Sequence, residues 1–122
     1  MDQIKRVMVV EDEALLLLEL VDNLAEIGIQ SLPLSTADGA ARILCSSDVE
    51  ALITDIELPG TSSGLDLAWR CASLRPNLPI VIVSGGVRPT AADIPPSAVF
   101  VPKPYTIQQI LMALDRRIQH AA

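Results

Sequence analysis

Short apolar runs alternate with longer stretches of helical periodicity along the whole chain. The runs that predict strands cover residues 4–10, 29–34, 51–54, 79–83 and 98–101. The helical patterns cover residues 12–27, 36–46, 65–75 and 106–120. This alternation is typical of βαβ units, and it therefore predicts a three-layer α/β sandwich around a five-stranded parallel sheet.

The segment between the fourth and fifth predicted strands lacks the pattern of a regular helix. It contains Gly85-Gly86, Pro89 and Pro95-Pro96, so only residues 90–93 could be helical between prolines. Proline breaks a helix interior, and nucleation is too costly for so short a segment. The fourth helix of the sandwich is therefore predicted to be short or missing, with a single turn at most.

Composition and charge narrow the class of protein. The chain has 122 residues, of which 50% are hydrophobic, and this indicates one folded domain spanning residues 1–122. A formal net charge of −6 argues against direct nucleic-acid binding, which needs a concentrated basic surface. No apolar stretch approaches the roughly 18 residues of a membrane span, and no secretory signal is visible. Cys45 and Cys71 have neither CxxC spacing nor a nearby His, so we expect reduced cysteines in a cytoplasmic protein.

Four of the predicted strands lead into residues suited to binding a metal and a phosphate. These residues are Glu11-Asp12, Asp55, Ser84 and Lys103. Because ligands of parallel sheets bind at the carboxyl ends of the strands, we expect these side chains to converge. Taken singly, each has an ordinary explanation such as a helix cap or a turn. Together they predict a site that holds a metal and a phosphoryl group.

With Pro59-Gly60, Gly64-Leu65 and Pro104, these residues resemble the receiver domain of bacterial response regulators in two-component signalling, over essentially the whole chain. The resemblance implies a flavodoxin-like (CheY-like) fold with strand order 2-1-3-4-5. It also implies a stand-alone phosphoacceptor in a His-to-Asp phosphorelay. Phosphorylation of Asp55 would then shift the conformation and the binding of partners.

The resemblance assigns a divalent cation, Mg²⁺ or Mn²⁺, to the acidic residues. Asp55 would be the nucleophile that accepts the phosphoryl group. Asp12 and Asp55 would bind the ion directly, the backbone carbonyl of Glu57 would add a ligand, and Glu11 would act through water. The carboxylate of Glu57 is an additional negative charge, and either tighter cation binding or repulsion of the phosphoryl group could follow from it.

The resemblance also assigns the phosphoryl contacts and the conformational switch. Lys103 would pair with the phosphoryl oxygens, and Ser84 would donate a hydrogen bond to them. Ser84 and Phe100 would form the switch, with Tyr105 as the less favoured aromatic. The Lys103–Pro104 peptide bond is expected to be cis.

The implied partners are a histidine kinase or phosphotransfer protein and a downstream protein. No enzymatic activity is expected beyond self-phosphorylation and autodephosphorylation. The alternative is a small phosphatase or phosphotransferase in which Asp55 is the nucleophile and Glu57 the acid/base.

The first helix is unusually rich in leucine. Its expected core face consists of Leu16, Leu20, Leu24 and Ile27. The apolar residues left over are Leu15, Leu17, Leu18 and Val21. We expect this surplus to form, with the last helix, a surface for a homodimer or a partner, unless neighbouring helices cover it. Trp69 is expected on the outer side of the third helix, either partly buried or in a partner patch.

Overall fold

The computed structural model describes residues 3–44 and 46–115. Its strands are Arg6–Val10 (β1), Gln30–Leu34 (β2), Leu52–Asp55 (β3), Ile80–Ser84 (β4) and Ala98–Pro102 (β5). Its α-helices are Ala14–Glu26 (α1), Ala37–Leu44 (α2), Gly64–Leu74 (α3) and Ile107–Leu114 (α4). The strands form one parallel sheet in the order β2-β1-β3-β4-β5, which confirms the predicted fold class.

The sheet is covered on both faces by separate hydrophobic clusters. Alternate residues of the central strands, such as Ile80 and Ile82, pack with α2 and α3 on one face. Their neighbours Val81 and Val83 pack with α1 and α4 on the other face. Side chains alternate along a strand, so a central parallel strand needs a continuous apolar run to serve both clusters. Because all the strands are parallel, the polar residues at the carboxyl ends of these runs lie at the same edge of the sheet.

The edge strand β2 is less apolar than the central strands. Pro33 is exposed and lies opposite Val9 of β1, and β2 has a strand neighbour on one side only. Proline has no backbone N–H to donate to a ladder, so an edge position suits it. The predicted edge position of this strand is confirmed.

The segment between β4 and β5 contains one turn of 3₁₀ helix, Ala91–Asp93. Thr90 and Asp93 form a capping box around it, with the Thr90 amide donating to Asp93 Oδ2 at 2.7 Å. The turn buries none of its own residues. The prediction of a single turn in place of a fourth regular helix is confirmed, and we call residues 85–97 the linker.

Two predictions about α1 are wrong. Ile27 is predicted on the core face, but it follows the end of the helix and is 49% exposed. The chain turns there through Gly28, at φ +85°, a left-handed conformation that favours glycine. Leu17 is predicted in the surplus, but it packs against the core cluster under α1 and α4. The exposed surplus is therefore smaller, with Leu15 and Leu18 as its large residues.

Two further predictions fall partly outside the described residues. α4 ends at Leu114 with Asp115 as its C-cap, and the expected continuation to His120 lies beyond residue 115. Cys45 is also outside the described residues, whereas Cys71 is buried in the cluster under α2 and α3.

Candidate functional site

The carboxyl ends of β1, β3 and β5 bring two carboxylates and an ammonium group together. Glu11 and Asp55 are buried, at 4% and 5% exposure. Lys103 Nζ donates to Glu11 Oε1 and to Asp55 Oδ2, each at 2.8 Å. With the exposed Asp12 beside them, these residues form what we call the acidic half of the site.

Burial and mutual contact determine the protonation of this half. Burial raises the pKa of Glu11, and the nearby charge of Asp55 raises it further against the opposing effect of Lys103. Burial by itself would lower the pKa of Lys103, but its hydrogen bonds to Asp55 and Glu11 outweigh burial and raise it. Lys103 therefore keeps its positive charge between two carboxylates, where it can neutralise a further anion.

The donor set of the acidic half fits a hard divalent cation. Carboxylate oxygens of Glu11, Asp12 and Asp55 all lie within 4.8 Å of one another. Oxygen ligands are those that Mg²⁺ prefers, and it usually keeps several waters, for which the exposed Asp12 leaves access. The carboxylate of Glu57 is not in this group, and a contribution from its backbone carbonyl stays a prediction.

The loop after β3 is fixed by a close approach of α3. A Cβ on Gly64 would lie 1.7 Å from the carbonyl oxygen of Asp55, so only glycine fits there. Gly64 donates its amide to the carbonyl of Ile56, at 2.9 Å, and the amide of Glu57 donates to Asp55 Oδ1, at 3.3 Å. These contacts hold the Asp55 carboxylate at the end of its strand.

The end of β4 carries the second half of the site. Ser84 is buried, and its hydroxyl donates to Glu57 Oε1 at 3.2 Å while accepting from the amide of Val87 at 2.9 Å. We call Glu57, Ser84 and Val87 the hydroxyl half. Sequence reasoning identifies the extra carboxylate of Glu57 but misses its contact with Ser84, because the spacing of the two residues along the chain gives no sign of it.

A family model for the response regulator receiver domain matches residues 7–115. The chain belongs to this family. Receivers are phosphoacceptors with an acidic pocket for Mg²⁺, and they interact with histidine kinases or phosphotransfer proteins and with effectors. No curated protein matches the chain by sequence.

Solved receivers share the fold of this one. A response regulator receiver protein from Sinorhizobium medicae WSM419 is 26% identical, with a TM-score of 0.86 over 98% of this chain and 97% of that one. A CheY-like receiver domain protein from Methanospirillum hungatei JF-1 is 20% identical, with a TM-score of 0.81 over 96% and 97%. The beryllofluoride-activated NtrC4 receiver domain dimer is also 20% identical, with a TM-score of 0.80 over 96% and 98%.

The remaining predicted site residues of this receiver lie near β5. Phe100 is half-buried opposite Ile82 and packs against the cluster under α2 and α3. The Lys103–Pro104 peptide bond is cis. Tyr105 lies before α4, half-buried on the opposite face of the sheet, where burial and then the charge of Glu11 raise its pKa.

Trp69 connects α3 of the receiver to the linker. It is 46% exposed, and its indole N–H donates to the carbonyl of Asp93 at 2.9 Å. Sequence reasoning misses this contact because the 3₁₀ turn that presents the carbonyl has no helical pattern. The bond therefore ties the linker to α3 through Asp93, at the 3₁₀ turn.

Proposed function

We propose that this receiver accepts a phosphoryl group on Asp55 in a His-to-Asp phosphorelay in the cytoplasm. The observation that carries the proposal is the position of the Asp55 carboxylate, buried at a strand end and bonded to Lys103 beside two further carboxylates. Among phosphorylated donors, a phosphohistidine of a kinase or phosphotransfer protein is the one that the family supports.

In the proposed reaction an oxygen of Asp55 attacks the phosphorus of the donor. The new O–P bond forms as the N–P bond breaks, and the electron pair of the N–P bond returns to the imidazole nitrogen of the donor. Lys103 neutralises charge on the transferred oxygens, since its ammonium already lies 2.8 Å from Asp55. Glu11, Asp12 and Asp55 would hold Mg²⁺ or Mn²⁺, which supplies further positive charge for those oxygens.

Ser84 and Phe100 are proposed to convert phosphorylation into a change of conformation. The Ser84 hydroxyl would turn from Glu57 to a phosphoryl oxygen, and Phe100, on the strand beside β4, would follow into the space vacated. The linker would change with them because Val87 donates to the same hydroxyl.

A small phosphodonor tests the proposal directly. Incubation with acetyl phosphate and Mg²⁺ should add one phosphoryl group by intact mass, and Asp55→Asn should abolish the addition. Excess chelator should also prevent it. Phosphorylation that persists in Asp55→Asn, or that is unaffected by chelator, would contradict the mechanism. The alternative of a phosphatase or phosphotransferase with Glu57 as acid/base gains no support from the family match.

A homodimer through α1 and α4 is proposed as the assembly of this receiver. Leu15, Leu18 and Met112 are 77%, 59% and 65% exposed, and α1 contacts α4. Exposed apolar side chains on adjacent helices favour association, and the NtrC4 receiver is a dimer in its activated form. Leu18→Lys should lower the dimer fraction in sedimentation, and a wild-type chain that is monomeric whether phosphorylated or not would contradict the proposal.

Within residues 3–44 and 46–115, none of the helices has the length and hydrophobicity that a membrane span requires.

A further inference from the structure

The donor proton of the Ser84 hydroxyl is already engaged in a hydrogen bond in the structure. A serine hydroxyl carries one donor proton, and here that proton is directed to Glu57 Oε1 at 3.2 Å. The same oxygen accepts from the Val87 amide at 2.9 Å. Ser84 can therefore donate to a phosphoryl oxygen on Asp55 only after its bond to Glu57 is broken.

The surroundings of Glu57 allow its carboxylate to reach this position. Its amide donates to Asp55 Oδ1 at 3.3 Å, which keeps its backbone beside the phosphoacceptor. The carboxylate lies against Gly86, where a Cβ would be 3.1 Å from Glu57 Oε1, a tight contact. The carboxylate is thus an anionic acceptor for Ser84 that is already present before any phosphoryl group arrives.

We infer that Glu57 is a positioning residue that holds Ser84 in its unphosphorylated arrangement and thereby slows phosphorylation. The inference rests on the proposed function of Asp55 and concerns its regulation. Glu57 acts in two ways, as a competing acceptor for the hydroxyl and as a negative charge beside the incoming phosphoryl group. The first acts only through Ser84, whereas the second does not depend on it, so the two can be separated by mutation.

The test compares Glu57→Ala and Glu57→Gln by the initial rate of phosphorylation with acetyl phosphate at saturating Mg²⁺. Glu57→Ala should be about three- to ten-fold faster than wild type, a factor that corresponds to the net worth of one hydrogen bond. Glu57→Gln should gain less, because its amide oxygen still accepts from Ser84. Glu26→Gln removes the charge of an exposed carboxylate at the far end of α1 and should leave the rate unchanged.

A double-mutant cycle with Ser84→Ala decides the route. In the Ser84→Ala background, Glu57→Ala should give no more acceleration than Glu57→Gln. An equal gain from Glu57→Ala with and without Ser84, equal gains from Ala and Gln in the wild-type background, or slower phosphorylation of Glu57→Ala would overturn the inference. A wild-type chain that takes no phosphoryl group, with Asp55→Asn as its blank, would instead contradict the proposed function.

Discussion

The acidic half of the site is held by charges from several sides, whereas the hydroxyl half is held by one chain of hydrogen bonds. Lys103 contacts two buried carboxylates at the same distance, so either contact keeps it in place when the other is lost. Ser84 has one donor bond and one acceptor bond, and its acceptor Glu57 is exposed. The ammonium group of the acidic half therefore has two equivalent contacts, whereas each hydrogen bond of the hydroxyl half occurs once.

This difference separates the tasks of the two halves. Transfer of a phosphoryl group requires groups that are already in position, because reorganising charges during the reaction raises the barrier. A change of conformation requires an element with two arrangements of similar free energy, and a hydroxyl that can exchange one acceptor for another satisfies this. The acidic half therefore suits the chemistry, and the hydroxyl half together with the linker suits the response.

The largest effect is expected from Lys103→Ala, which leaves the carboxylates of Glu11 and Asp55 facing each other without their cation. Removing one partner of a fully buried ion pair costs about 3–5 kcal/mol. Because the Lys103 side chain is 17% exposed, we expect a loss of about 2 kcal/mol in the free energy of unfolding without metal. Urea unfolding should show Mg²⁺ recovering part of this loss, since the cation replaces the missing charge.

Lys5→Ala is the matched control, because it removes an exposed lysine outside the site. Phosphorylated Lys103→Ala should still bind Mg²⁺ while losing the conformational response, since the carboxylates are proposed to hold the metal whereas Lys103 pairs with the phosphoryl oxygens. A stability loss that Mg²⁺ leaves unchanged, or a loss of metal binding equal to the loss of response, would show that the acidic half is not divided in this way.

A smaller effect is expected from Asp12→Asn, which removes one carboxylate from the proposed cation site without touching the Lys103 contacts. Mutating residues that only hydrogen-bond to metal ligands typically costs about 10- to 100-fold in affinity, so loss of a proposed direct ligand should weaken Mg²⁺ binding by at least about ten-fold. Isothermal titration measures this, with the neighbouring exposed Glu13→Gln as control. Equal weakening in both variants would indicate that the cation is attracted by the overall negative charge and not bound at a specific site.

The fold and the acidic half follow from the sequence much more directly than the hydroxyl half does. Each central strand is a continuous apolar run that ends at a polar residue, and the edge strand β5 leads directly to Lys103. Because the carboxyl ends of parallel strands lie at the same edge of the sheet, the convergence of Glu11, Asp55 and Lys103 follows from topology. The prolines of the linker likewise exclude a regular helix, because the rule that they impose is local and needs no tertiary contact.

The contacts that sequence reasoning misses depend on side-chain direction within irregular backbone. Glu57 follows β3 and Ser84 ends β4, and the sequence does not show that the Glu57 carboxylate turns toward Ser84 and lies against Gly86. Trp69 is predicted on an outer face, but its bond to the Asp93 carbonyl requires the 3₁₀ turn. The predicted core-face position of Ile27 is wrong because the apolar pattern continues to this residue, whereas the hydrogen-bonded helix ends at Glu26.

The smallest effect is expected at the linker, where Asp93 stabilises a turn that buries none of its residues. The backbone amide of Thr90, and then its hydroxyl, lower the pKa of Asp93 below its ordinary value. A lowered carboxyl pKa means that the turn is stabilised above the ordinary aspartate value of about 3.9 and loses this support as the pH falls through the lowered pKa. The emission of Trp69, the single tryptophan, should therefore change only below about pH 4.

Asp93→Asn separates this transition from the protonation of other carboxylates. The variant cannot titrate at residue 93, and its amide oxygen can still accept from the Thr90 amide, so its Trp69 emission should stay close to that of the neutral wild type as the pH falls. Its global unfolding should hardly change, because the turn contributes no buried side chain to the core. Asp22→Asn, an exposed carboxylate on α1, should keep the wild-type transition. If the wild-type transition survives in Asp93→Asn, contacts other than the capping box must hold the linker. The linker would then be less able to change conformation with Ser84 than its contact through Val87 indicates.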